Sequence, residues 1–183
     1  MMNLKQISQY RHRSPEAVMI GGVEYQIDGD WLNCQIVESM LQDEELKDWK
    51  RAELLIELMY LCPLPVVSNE SVDVALNYLK MNEINKKDNR IRLVLISVEK
   101  DFKYIYNAFY TFHKIDLYKT NLTHWHFWSL IQELPKDCFL CRLIYLRSQK
   151  HRGVLSKEEI SEINRIGVDV VDIDYDYFAD DDW

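Results

Sequence analysis

Glycine and proline are scarce, five and four among 183 residues. That scarcity excludes collagen-like, linker-rich and glycine-loop architectures, and it favours long helices joined by short turns. The four cysteines, Cys34, Cys62, Cys138 and Cys141, are too few for a disulfide scaffold; in a reducing compartment they read as small buried apolar residues. The longest stretch without a charged or strongly polar residue, 58–67, is broken by Pro63 and Pro65, so no membrane-spanning helix is expected. Residues 1–22 have no apolar leader core, and the chain is expected to stay in the cytoplasm where it is made. Phosphate-binding glycine loops, the H-E-x-x-H zinc motif, the G-x-S-x-G elbow and the EF-hand loop are all missing.

An excess of positive charge is missing as well. The net charge is −8, and seven of the 30 acids fall in 167–183, a segment with no Lys, Arg or His. The other 166 residues carry 23 acids against 22 basic residues. A nearly neutral body has no basic face for a phosphate backbone, so nucleic acid is not an expected partner. The acidic end reads either as a solvated tail or as an arm that meets a basic or polar partner.

Length and composition, with 48% apolar residues, suit one globular domain with tails. Residues 1–15 read as a flexible lead-in, 16–166 as a helical domain with an internal boundary near 82–92, and 167–183 as the acidic tail. Alternating Val23, Tyr25 and Ile27 beyond Gly21-Gly22 predict a β-hairpin. Asp30 is an N-cap for a helix over 31 to about 43, with Leu32, Ile36 and Met40 on one stripe. Further helices are expected over 47–61, closed by Pro63 and Pro65, and from Ser68 or Asn69 to 81 with Val72, Leu76 and Leu79 inward. The polar run 82–92 is a connector, and 91–96 is a short strand or helix lead-in. Beyond it, Phe102, Ile105, Tyr106, Phe109 and Phe112 mark a helix over 98–113. Others are expected over 124–134 and from 135 or 137 to 148. Ser156-Lys-Glu-Glu159 is a capping box that opens a last one, to 166. The fold class is therefore mainly α: a compact domain of about seven helices with an N-terminal hairpin.

Three constellations carry possible chemistry. Cys138-Phe-Leu-Cys141 with His124-Trp-His126 has the residue types of a zinc site, but the cysteines lie in an apolar helical context, and no metal or cofactor is expected. Cys62 with His113, His124 and His126 lacks an oxyanion loop or a third partner, so no catalytic residue is assigned. Asp172, Asp174 and Asp176 lack the glycine and terminal glutamate of a calcium loop. The aromatic helix with Trp125, Phe127 and Trp128 reads mainly as core, with part of it able to line a partner groove.

The order of features resembles a known family. Its carriers are Gly22-Val-Glu-Tyr-Gln-Ile-Asp28, Leu41-Gln-Asp-Glu-Glu-Leu46, Phe102-Lys-Tyr-Ile-Tyr-Asn-Ala-Phe109, Ile115-Asp-Leu117, Leu122-Thr-His-Trp-His-Phe-Trp-Ser-Leu-Ile131 and Leu143-Ile-Tyr-Leu-Arg147. Over about 16–150 the chain resembles the phage gene-product-fifteen family of tailed phages and prophages. The resemblance implies a non-enzymatic tail-assembly protein, chaperone-like, working in the host bacterial cytoplasm. Its expected partners are phage tail proteins, the tape-measure or major tail protein, with no nucleic acid or membrane and with a homo-oligomer left open. The alternatives are a structural component of the virion tail, and a zinc-binding nucleic-acid or regulatory module. The expected protein-binding residues are Trp31, Trp49, Trp125 and Trp128 in a groove, and Asp172, Asp174, Tyr175, Asp176 and Tyr177 in the arm.

Overall fold

The structure, a computed structural model, describes residues 15–81 and 96–166. The expected lead-in, the connector at 82–92, nearly all of the 91–96 segment and the acidic arm with Asp172, Asp174, Tyr175, Asp176 and Tyr177 lie outside the described residues. Among the described residues are seven α-helices and one two-stranded antiparallel hairpin, a mainly α protein. They divide into two units. The first holds 15–81 and 120–132; the second holds 96–119 and 133–166.

In the first unit, β1 (Ala17–Ile20) pairs with β2 (Val23–Gln26) through Ile20 opposite Val23 and Val18 opposite Tyr25. The turn needs positive φ at both central positions, and Gly21 (55°) and Gly22 (81°) supply it. Glu70 Oε1 accepts the Gly21 amide at 2.8 Å and pins the turn to the third helix. Past β2, Leu61 N donates to Gln26 O and Asp28 N to Met59 O, so a short stretch of chain extends the ladder.

Helix α1 (Trp31–Leu41) starts where the Asp30 carboxylate accepts the Leu32 and Asn33 amides, at 2.9 and 3.1 Å. Its inward face is Trp31, Cys34, Val37 and Leu41. Leu32 and Ile36, expected inward, are 52% and 53% exposed, a correction with a physical reason: α1 has two apolar stripes, and the partner that selects one arrives from residue 120 onward. Trp31 N donates to Leu122 O, and the Trp31 ring stacks on Phe127 with centroids 4.6 Å apart. Helix α2 (Asp48–Met59) buries Leu55, Ile56 and Met59, and Asn33 Nδ2 ties α1 to the Leu58 carbonyl at 2.7 Å. Helix α3 (Asn69–Leu79) opens on a capping box between Ser68 and Ser71. It buries Val72, Leu76 and Leu79 as expected, and its Ser71 carbonyl accepts the Tyr60 hydroxyl at 2.7 Å.

In the second unit, α4 (Val98–Ala108) is capped by Ser97 and runs into a π turn, Phe109–His113. Lys114, in the left-handed region at φ 59°, ends it. Helix α6 (Phe139–His151) packs on α4 and is followed by Gly153 at φ 69°. Helix α7 (Lys157–Ile166) has the expected capping box, with Glu159 N donating to Ser156 Oγ and Ser156 N to Glu159 Oε2. Helix α5 (His124–Gln132), whose sequence lies between these segments, belongs to the first unit.

Candidate interaction surface

The four tryptophans do not form one groove. Trp31 and Trp128 are buried; the ring of Trp128 meets Phe127 edge-on at 5.2 Å. Trp125 is half-buried, with Nε1 donating to the Tyr78 carbonyl at 3.0 Å and its ring against Tyr78. Only Trp49 stands out, 64% exposed. The reason is helix α5 itself: apolar nearly all round, it is enclosed on several sides, and its aromatic side chains are consumed as core. This corrects the expected exposure of Trp31 and Trp128.

The zinc constellation is also redistributed. Cys138 is the buried N-cap of α6, and Cys141, in that helix's first turn, directs its thiol at the Leu134 carbonyl. His124 and His126 lie in the other unit. Among the described residues no group of three metal-ligating side chains comes together.

What the second unit presents instead is a tyrosine ladder. Phe102, Tyr106 and Tyr110 recur every four residues, the spacing that stacks side chains along one helical face. Ring centroids are 6.4 Å apart for Phe102–Tyr106 and 6.0 Å for Tyr106–Tyr110. Tyr118 folds back over them, 5.5 Å from Phe102 and 5.2 Å from Tyr106. It is placed by a turn at Asp116, whose Oδ1 accepts the Tyr118 amide at 3.1 Å and whose carbonyl accepts the Lys119 amide. Desolvation, the largest single influence, would raise the Asp116 carboxyl; hydrogen bonds from Lys119, the Tyr118 amide and Tyr106, with the Lys119 charge, together outweigh it and hold the group below its ordinary value.

The ladder is open: Tyr110 is 57% and Tyr118 75% exposed. Phe112, expected on the inner stripe, is exposed too, because a π turn bonds i to i+5 and rotates the side chains that follow it off the α-helical stripe. Of the large exposed hydrophobic side chains, the second unit contributes Tyr110, Phe112, Tyr118, Phe139, Tyr145, Val154 and Ile160, five of them aromatic. The first unit shows Trp49 as its one such aromatic among the described residues. Aromatic surface with a polar tip is the material of protein-binding hot spots. The spacing of Phe102, Tyr106 and Tyr110 was visible in sequence, but helical spacing does not say which face is covered.

In the same unit, Asp101 and Arg147 form a buried ion pair between α4 and α6. Arg147 Nη2 donates to Asp101 Oδ1 at 2.8 Å and Nη1 to Oδ2, while Oδ2 also accepts the Ser97 amide at 3.0 Å. A forked guanidinium on a carboxylate fixes the register of both helices. Asp101 immediately precedes the aromatic motif of α4, and Arg147 ends the Leu143–Arg147 motif, so the two motifs meet in this pair.

No curated protein and no solved structure is significantly similar to the chain. A family model, described as Bacteriophage Gp15 protein, matches residues 12–169. That span takes in the hairpin, the seven helices of the described residues, the ion pair and the ladder, and the chain therefore belongs to the bacteriophage Gp15 protein family.

Proposed function

We propose that this phage protein is a non-enzymatic tail-assembly factor that binds tail components, such as the tape-measure protein, and works in the host cytoplasm. Family membership supports the phage context. The observation that carries the binding role is the open tyrosine ladder, a contiguous aromatic surface whose rings are already ordered against one another. Preordered rings lose little conformational entropy on binding, so such a surface can hold a polypeptide at moderate affinity and release it. A chaperone needs that release. Among the described residues no helix is long and apolar enough to cross a membrane, which accords with a protein that meets its partners in solution.

Mass spectrometry of finished particles against infected-cell lysate separates the assembly role from the alternative, a permanent tail component. The assembly role expects the chain in lysate complexes with a tail protein and its absence from particles. Stoichiometric presence in particles would contradict it.

A further inference from the structure

The tyrosine ladder belongs to a strip of chain with a charge of its own. Residues 97–119 carry four lysines, Lys100, Lys103, Lys114 and Lys119, all exposed. The acids of the strip are Glu99, Asp101 and Asp116, and the Asp101 charge is matched by Arg147 inside the unit. Positive charge is therefore in excess at the surface around the rings. Lys103 lies three residues before Tyr106, close to the ladder's side of α4, with Nζ 4.6 Å from the Tyr104 ring centroid. Lys119 pairs with Asp116 Oδ2 at 3.2 Å and stays within electrostatic reach of Tyr106 and Tyr110. An open aromatic surface with lysines at its edge fits an occupant that is both apolar and acidic.

The chain supplies such a segment itself. The acidic arm, 167–183, has seven aspartates and no basic residue. From Val171 to Tyr177 apolar residues and aspartates alternate, with Ile173, Tyr175 and Tyr177 set among Asp172, Asp174 and Asp176. Each apolar side chain there has a carboxylate beside it in sequence. The arm also starts from the right unit. It follows Ile166, the end of α7, and α7 is tied to α6 through Arg142 and Glu162. Helix α6 packs on α4, which carries the ladder. Tyr175 is nine residues past Ile166 and reaches at most about 30 Å from it. A compact unit of about 60 residues has a radius of gyration of about 10 Å, so the ladder is within range.

We propose that the acidic arm docks on the tyrosine ladder of its own chain and that a partner must displace it. Ile173, Tyr175 and Tyr177 meet the exposed rings of Tyr110 and Tyr118, and the aspartates meet Lys103 and Lys119. The inference rests on the ladder being a binding surface, as proposed above, and adds how that surface is regulated. A short tether holds the arm near the ladder at an effective concentration on the order of 1 mM. A contact too weak to form between separate molecules at micromolar concentration is then made within one. An arm that covers the ladder about nine-tenths of the time lowers the apparent affinity of a competitor about tenfold. The same cover keeps exposed aromatic surface from sticking to other copies before the partner arrives.

The test is photo-cross-linking of the full chain carrying p-benzoylphenylalanine in place of Tyr175, with no phage tail protein present. The expected result is cross-links within one chain that map by mass spectrometry to residues 102–119. Their yield is expected to fall at least about threefold in the double variant Lys103→Gln, Lys119→Gln, which removes two exposed ionic contacts. It is expected to fall likewise in about 1 M sodium chloride, where the Debye length is about 3 Å. Cross-links scattered over the second unit, cross-links on the first unit, cross-links between copies alone, or none at all would each overturn the proposal. A yield indifferent to the two lysines would overturn it as well. No partner takes part, so a failure here is distinct from a failure of the tail-assembly reading, which is judged by capture of a tail protein.

Discussion

Asp101 and Arg147 show how a single pair of residues organises the second unit. Taking two charges out of water costs several kcal/mol per ion, and the forked geometry, with the Ser97 amide as a third donor, offsets much of it. Removing one partner takes the counter-ion from the other in a buried site. Asp101→Ala and Arg147→Ala are each expected to lower stability by about 3–5 kcal/mol, read by urea denaturation with far-UV circular dichroism. The paired replacement Asp101→Leu with Arg147→Met is expected to recover most of that loss, since apolar substitutes for buried ion pairs are often neutral. In sequence Asp101 borders one recognisable motif and Arg147 ends another, yet nothing local joined them: 46 positions separate them, and a buried partner that far away is invisible to periodicity.

Elements were readable where their signals are local. Asp30, Ser68, Ser97 and Ser156 each stand next to the helix they cap, so the side chain that satisfies the first orphan amides also announces the start. The Gly21-Gly22 turn is readable for the same reason. The buried face of α1 was not. Leu32 and Ile36, four apart, fit a helical stripe as well as Cys34 and Val37, three apart, and the choice between stripes is made by α5, about ninety residues away in sequence and aromatic on the side that meets Trp31. Phe127→Ala is accordingly expected to cost about 3–5 kcal/mol and to change Trp31 fluorescence, because the ring it removes is the one stacked on that indole. Helix α7 stands at the other extreme. It buries no side chain and is tied to α6 by Arg142, whose Nη2 lies 2.6 Å from Glu162 in a partly exposed pair. Such pairs contribute up to about 1 kcal/mol, so α7 is expected to exchange its amides fastest of the second unit's helices, and Arg142→Ala to speed that exchange further.

At the scale of the whole chain, the order of segments in space departs from their order in sequence. The first unit is completed only by residues 120–132. A fragment ending at residue 84 lacks Phe127, the stacking partner of Trp31, and His124, the partner of the Leu79 carbonyl. It is expected to show no cooperative thermal transition by tryptophan fluorescence, while the full chain does. The candidate surface was only half readable for a related reason. Tryptophans in a helix apolar nearly all round become core or half-buried, whereas tyrosines on a helix beside the Asp116 turn remain outside. Exposure is a property of the packed molecule, and residue type alone does not give it.

Affinity capture from cells expressing the phage tail genes, comparing the wild-type chain with a Tyr110→Ala, Tyr118→Ala double variant, tests the binding role most directly. Both residues are exposed and outside the core, so the variant should keep the wild-type circular dichroism spectrum and melting temperature. The account predicts that a tail protein, identified by mass spectrometry, is recovered with the wild type and reduced at least tenfold with the variant. Equal recovery with both chains, or no tail protein with the wild type, would contradict it.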